Sequence, residues 1–287
     1  MPTFETPEPI SVTIDLPVGE ARIVASDRAD TVVEIRPGDG GDESAVAATR
    51  VEMVNRQLLI KGAALRGWGA KWGLGFLGLG WSGAAAEVEI ALPSGSRVHG
   101  ETSFGGFQAE GRLGECRLRT DYGDIRLGHT GSVDLRTSSG EIVVDRVDGH
   151  AEISTSSGDI RVRDVDGTAV ISNEHGEIHV GHITGDLRLS GSHGDMDVDR
   201  AAAGVEARTA YGNVRIGQVT RGVTTLTTTS GELEVGVRHG TAAWLDVSSS
   251  TGELHNHLEA RDDPDGFAET VEIHARTRDG DIVLRRA

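Results

Sequence analysis

The segment Thr137-Ser138-Ser139-Gly140-Glu141-Ile142-Val143-Val144 decides the fold, because the chain goes on to rewrite it. One copy later it reads Thr155-Ser156-Ser157-Gly158-Asp159-Ile160-Arg161-Val162. The pivot glycine recurs at Gly105, Gly123, Gly140, Gly158, Gly176, Gly194, Gly212, Gly231, Gly252 and Gly280, with successive differences of 18, 17, 18, 18, 18, 18, 19, 21 and 28. A period near 18 kept over so many copies marks stacked supersecondary units. Each period holds two short alternating segments, such as Ile160-Arg161-Val162 after the pivot and Ala151-Glu152-Ile153 after a second glycine, Gly149. Two strands and two turns per period predict one flattened rung. Rungs of equal length stack in register, about 4.8 Å apart. The expected fold is therefore all-β, a single-stranded parallel β-helix (β-solenoid) with about 18 residues and two strands per rung and a core of Ile, Val and Leu columns. A β-sandwich also has many short strands, but no reason to repeat its corner residues at this period.

Outward from the repeat, residues 1–100 read as an N-terminal β cap with degenerate rungs, because a solenoid must blunt its open edge. Ser11-Val12-Thr13-Ile14-Asp15-Leu16 and Thr31-Val32-Val33-Glu34-Ile35 alternate as strands, and residues 43–57 are the one place for a short helix. Leu16-Pro17-Val18-Gly19 and Leu92-Pro93-Ser94-Gly95 look alike, as degenerate copies of the same coil would. Residues 101–254 form the regular solenoid, and 255–287 read as C-terminal closing strands of one continuous domain, with a polar loop around Arg261-Asp262-Asp263-Pro264.

Composition narrows the function. A net charge of −17 argues against nucleic acid and anionic membrane surfaces, both of which need a basic face. Cys116 is the single cysteine, so no intrachain disulfide forms, and the alternation Cys116, Leu118 reads as buried packing rather than a nucleophile. The start, Met1 to Pro9, has neither a basic nor an apolar signal region, and no run of 18 apolar residues exists for a spanning helix. A cytoplasmic protein without cofactor, resident metal or transmembrane segment is expected, peripheral membrane contact remaining open.

Stacking turns sequence columns into ladders. Three residues before the pivot stand Thr102, Thr120, Thr137, Thr155, Asn173, Gly191, Thr209, Thr228, Ser249 and Thr277, which read as an inward hydroxyl ladder. After the pivot come Asp124, Glu141, Asp159, Glu177, Asp195, Asn213, Glu232, Glu253 and Asp281. This column reads as solvated turn residues rather than calcium ligands, since the G-G-x-G-x-D pattern is absent. His175 and His193 fall on adjacent rungs, and His255-x-His257 offers a second imidazole pair; both read as surface placements rather than metal sites. No nucleophile–base pair, phosphate loop or metal-ligand spacing is present, so no catalytic residue is assigned. The unusual stretch is 63–85, where Trp68, Trp72, Leu74, Phe76, Leu77, Leu79 and Trp81 sit among glycines. It reads either as a plug folding back on the first rung or as an aromatic patch for a protein partner or a second copy of the chain.

Leu92-Pro93-Ser94-Gly95-Ser96-Arg97-Val98, the repeated Ser-Gly-Asp/Glu-Ile pivots, Ala243-Trp244-Leu245-Asp246-Val247 and the closing Gly280-Asp281-Ile282-Val283-Leu284-Arg285-Arg286 resemble the bacterial "putative adhesin" β-strand-repeat family, a domain of unknown function, in its actinobacterial form. The resemblance spans nearly the whole chain. It implies a single-stranded β-helix and no established activity. The 63–85 insertion departs from the family pattern, where a shorter polar link is expected. The reading that follows is a non-enzymatic binding or scaffold module, adhesin-like, mediating protein or surface interaction. The alternatives are a carbohydrate-binding or carbohydrate-active β-helix and a self-assembling structural element.

Overall fold

The pivot glycines stack on one another, and the rest of the fold follows from that contact. In the computed structural model, residues 1–38, 43–62, 85–259 and 269–287 are described. They divide into two compact units, Met1–Thr130 with Leu135–Ser138, and Gly131–Asp134 with Ser139–Ala287.

The first unit contains β1 (Thr3–Glu5), β2 (Ser11–Ser26), β3 (Asp30–Pro37), the short helix α1 (Glu43–Ala48), β4 (Arg50–Val54), β5 (Gln57–Lys61), β6 (Ala86–Pro93), β7 (Arg97–Phe104), β8 (Phe107–Arg112), β9 (Cys116–Tyr122) and β10 (Ile125–Thr130). β2 is a whole rung in one strand. Its first half pairs in parallel with β5 on one side and β7 on the other. Its second half lies likewise between β6 and β8. β2 is thus threaded into a rung with neighbours on both sides. Beyond it, β4 lies antiparallel on β5, β3 antiparallel on β6, and β1 antiparallel on β3. These antiparallel additions cover the parallel edge. The two Leu-Pro-x-Gly segments occupy different corners. Leu16 pairs with Thr102 of the hydroxyl column, whereas Pro93 pairs with Ser26 at the opposite turn. Their likeness is compositional, set by two corners that both need a bend.

β11 (Val133–Ser139) is divided between the units. The second unit continues with β12 (Ile142–Asp148), β13 (Ala151–Ser157), β14 (Ile160–Asp166), β15 (Ala169–His175), β16 (Ile178–Ile183), β17 (Leu187–His193), β18 (Met196–Ala201), β19 (Val205–Arg208), β20 (Val214–Val219), β21 (Gly222–Ser230), β22 (Leu233–Val237), β23 (Thr241–Ser249), β24 (Leu254–Asn256), β25 (Glu269–Asp279) and β26 (Ile282–Arg286). From β12 to β22, alternate strands pair in parallel, in two sheets. Period-two alternation sends Ile142, Ile160, Ile178, Met196 and Val214 down one interior column, each at most 2 % exposed. Facing them run Ile153, Ile171, Leu189, Ala207 and Leu226, equally buried.

Size is balanced across the core. At Gly191 a Cβ would lie 2.8 Å from Met196 Cε, so the missing side chain accommodates the methionine that replaces isoleucine in that rung. Gly100 does the same for Phe107, whose ring would sit 2.5 Å from an added Cβ.

The final rungs depart from sequence order. β25 pairs with β21 on one side and β23 on the other, and β26 lies likewise between β22 and β24. The last strands in the chain are therefore wedged into the penultimate rung, and Thr241–Asn256 forms the outermost one.

At every pivot but Gly252 the backbone has positive φ, 125° at Gly158 and 137° at Gly176. A Cβ at Gly176 would stand 2.2 Å from the carbonyl oxygen of Gly158. Gly176→Ala should combine backbone strain with a backbone clash and cost roughly 3 kcal/mol or more. Gly240 has φ of 83° and nothing near its Cβ position, so Gly240→Ala should cost only about 1 kcal/mol. Denaturant midpoints of the two variants check the difference.

Candidate functional site

Both corner columns are committed to the fold. Pivot N–H groups donate to a carbonyl of the next rung, Gly158 to His175 (3.1 Å), Gly176 to His193 (3.0 Å) and Gly212 to Ser230 (3.0 Å), whereas Gly252 donates to Ser249 Oγ (2.8 Å). The pivot carbonyl accepts from the inward column: Thr120 Oγ1 donates to Gly105 (2.8 Å), Asn173 Nδ2 to Gly158 (2.8 Å), Thr228 Oγ1 to Gly212 (3.2 Å) and Thr277 Oγ1 to Gly231 (3.2 Å). Thr120, Thr137, Thr228 and Thr277 bond glycine carbonyls of a neighbouring rung rather than one another, Thr155 and Thr209 bond the carbonyl two residues on (3.2 and 3.5 Å), and Thr102 Oγ1 is buried without a hydrogen-bond partner among the described residues. Each such bond contributes about 1 kcal/mol and spares a larger cost of an unpaired buried group.

The acidic column also holds backbone. Asp159 Oδ1 accepts from the Glu177 N–H (3.0 Å), Asp195 Oδ1 from Asn213 (2.8 Å), Asn213 Oδ1 from Glu232 (2.8 Å) and Asp281 Oδ1 from Glu253 (2.8 Å). Asp159, Asp195, Asn213 and Asp281 thus reach across rungs, whereas Glu141 pairs with Arg161, Asp124 with Arg126 and Glu253 with His255. Used this way, the column is rung-to-rung capping rather than a set of free cation ligands.

One position nearer the chain start, the pre-pivot column carries rings. His175 and His193 stack with centroids 5.1 Å apart and planes 4° from parallel, and Tyr211 continues the stack at 5.1 Å. Phe104 and Tyr122 stack similarly in the first unit, at 5.2 Å. Ring faces are buried against each other while the edges face outward, and Tyr211 is 52 % exposed. Nitrogen lone pairs lie in the ring planes, so face-stacked imidazoles cannot converge on one metal ion. Strand β24 ends at Asn256, which leaves His257 off the strand face, and His255 lies 3.7 Å from Glu253. A different set, His179, Asp197 and Asp199, brings three potential ligand atoms within 4.8 Å of one another. Asp197 is also 3.7 Å from Arg215, within an outward row of alternating charge.

A depression of about 540 Å³ crosses β15, β17, β19 and β21 near the second corner. Thr168, Val170, Arg188, Glu206, Val223 and Thr225 line it. Its shape has a sequence cause. Ala201 pairs with Val219 at a spacing of 18, but Val205 pairs with Thr224 at 19, so the turn at Thr220–Gly222 carries one extra residue. Val223 is left standing out of the rung at 49 % exposure, across from Val170 at 40 %. Between them Glu206 accepts from both Arg188 and Arg208, each at 2.7 Å. The floor is thus two exposed valines beside a charged triplet. In the first unit, a smaller depression of about 310 Å³ is lined by Arg22, Glu87, Asp124 and Arg126.

The sequence-derived partner residues Trp68, Trp72, Leu74, Phe76, Leu77, Leu79 and Trp81 lie outside the described residues. The groove escaped sequence reading, although the 19-residue step from Gly212 to Gly231 was its signal. The ring ladder could have been found by reading one column further.

Stacked two-strand rungs, glycine pivots and threaded end rungs define a parallel β-solenoid built on one repeating corner. The chain belongs to the Toastrack DUF4097 family, whose model matches residues 13–285. Solved structures of similar fold include a "putative adhesin" from Parabacteroides merdae, at 10 % identity and TM-score 0.36, covering 100 % of this chain and 95 % of that one. Another, from Parabacteroides distasonis, has 11 % identity and TM-score 0.30 and covers 98 % and 94 %. A third, from Bacteroides fragilis, has 12 % identity and TM-score 0.28 and covers 99 % and 95 %. No curated protein matches the chain. Among the described residues, no helix is long and apolar enough to cross a membrane.

Cys116 is fully buried, and desolvation pushes its thiol up to about 12. The native protein should therefore not react with a disulfide reagent at pH 8, and labelling should appear only as the first unit opens in denaturant. Rapid native labelling would show that the β9 core is not closed.

Proposed function

We propose that this chain is a non-enzymatic binding or scaffold module, adhesin-like, that engages a protein or a surface through the groove on β15, β17, β19 and β21. The observation that carries the reading is the pairing of Val170 and Val223, both substantially exposed, with the Arg188–Glu206–Arg208 triplet in one concavity. Exposed apolar side chains beside fixed charges suit a ligand that offers an apolar patch rimmed by polar groups. The rigidity of the rungs favours recognition, since the lining residues stand on strands rather than on loops. A second contact is proposed at Trp68, Trp72, Leu74, Phe76, Leu77, Leu79 and Trp81, on the strength of composition alone. A carbohydrate ligand is the runner-up, supported by the edge-exposed row His175, His193 and Tyr211, which lines up hydrogen-bonding groups at one rung spacing.

Beads carrying the full chain should retain a partner protein from a soluble extract of the native cells. Val170→Asp/Val223→Asp should lower retention by about tenfold while leaving the melting temperature unchanged, a tenfold loss being about 1.4 kcal/mol. Equal retention by the two chains removes the groove from the function. Release of reducing sugar from a polysaccharide panel by the wild-type chain would replace the binding module with an enzyme.

The cytoplasmic setting belongs to the same proposal, and it is supported by sequence composition only. Fractionation of native cells with antibody detection should recover the chain in the soluble cytoplasmic fraction. Recovery with the envelope would turn the internal scaffold into a surface module.

A further inference from the structure

The two end rungs are finished differently. In the first unit, β3 and β4 lie antiparallel on the outer strands. In the second unit, β23 pairs with β25 on one side, and no strand among the described residues pairs with its other side. The backbone N–H and C=O groups of alternate residues along this nine-residue strand thus form an edge of the kind that accepts another strand.

The core is open at the same place. Ala243, Leu245 and Val247 pair with Val271, Ile273 and Ala275 and continue their columns. The inner members of each pair are at most 2 % exposed, whereas the three β23 residues are only partly covered. Leu254 on β24, which pairs with the fully buried Ile282, is 51 % exposed, and Trp244 is 59 % exposed.

We propose that this edge is a self-association surface, closed by a second copy of the chain whose β23 pairs antiparallel with the first, centred on Leu245. The β23 sequence, Thr-Ala-Ala-Trp-Leu-Asp-Val-Ser-Ser, carries the argument for a like partner. An antiparallel pair that continues the core must oppose inward residues with inward residues, which limits the register to even shifts. Centred on Leu245, all nine residues are matched. Leu245 faces its own copy, Ala243 faces Val247, and Thr241 faces Ser249, so the interior columns run on across the two-fold axis. On the outer face Trp244 meets Asp246, and Ala242 meets Ser248. Asp246 is the only charge on the strand, and it already takes hydrogen bonds from His274 and Arg276. Shifting the register to centre on Asp246 would set two carboxylates directly opposite, which is unfavourable. The outermost strands of the first unit, β1 with three residues and β4 with five, are shorter than the nine-residue β23 and do not offer a matched edge for head-to-tail stacking, so association closes at two copies by isologous pairing rather than running on as a filament.

This surface lies on β23 and β24, away from the groove, so its failure and that of the binding reading are separable: Val170→Asp/Val223→Asp should leave the oligomeric state unchanged. The test is sedimentation equilibrium on the full chain, with a cysteine variant as a second arm. Wild type should sediment as a dimer in a concentration-dependent manner, and Leu245→Arg should be monomeric with its strand circular dichroism retained. Leu245→Cys should form a covalent dimer under mild oxidation, since Cβ atoms opposite one another in an antiparallel pair lie about 5 Å apart and Cys116 is buried. Val54→Cys, an exposed residue on the covered end, should not cross-link comparably. A wild-type chain that stays monomeric throughout, a dimer that persists in Leu245→Arg, or equal cross-linking of the two cysteine variants each overturns the proposal.

Discussion

The contact on which this structure depends is that of one pivot glycine against the carbonyl of the pivot in the neighbouring rung. At this corner the chain must turn within a single residue and still let adjacent rungs sit at strand spacing. A Cβ would be about 2 Å from that carbonyl at nearly every pivot, and the backbone is left-handed there. Only glycine meets both conditions. The same residue then becomes a node: its N–H bonds the next rung, and its carbonyl takes a side chain from the Thr/Asn column. Corner geometry, inward hydroxyl column and rung spacing are thus consequences of one close approach.

Solenoids have ends, and an end rung has only one neighbour to protect it. Each unit answers by threading a segment out of sequence order into the penultimate rung, β2 between β5/β6 and β7/β8 in the first, β25/β26 between β21/β22 and β23/β24 in the second. Held between two parallel neighbours, these segments gain ladder bonds on both sides and bury their apolar columns twice. The outermost rung is then an internal stretch of chain, restrained at both of its ends. What remains is the edge itself, covered by antiparallel strands in the first unit and left unpaired among the described residues of the second.

The columns that look chemical in the sequence are structural. Carboxylates after the pivot hold backbone N–H groups, and the His175–His193 pair is half of a ring stack. Regularity is the reason. A residue repeated at every rung serves a need repeated at every rung, which is stacking. Recognition of a particular partner needs a place that differs from the others, and the extra residue at Thr220–Gly222, which lifts Val223 out of line, is such a place. The open β23 edge is another.

From sequence alone came the 18-residue period, the two strands per rung, the parallel stacking, the buried Cys116 and the inward Thr/Asn column. All of these are local or strictly periodic, so composition at a fixed spacing suffices to specify them. The short helix at 43–48 and the capping role of the first strands were also legible, through lost periodicity. The threading of β2 and of β25/β26 was not, because parallel pairing depends on side-chain columns that β21, β23 and β25 all share, and only packing in three dimensions selects their order. Nor was the non-equivalence of Leu16–Gly19 and Leu92–Gly95, two similar bends at different corners. The groove too belongs to the tertiary structure: a one-residue difference in turn length shows as a 19 in a list of spacings, but its effect on Val223 and Val170 exists only once four rungs are stacked.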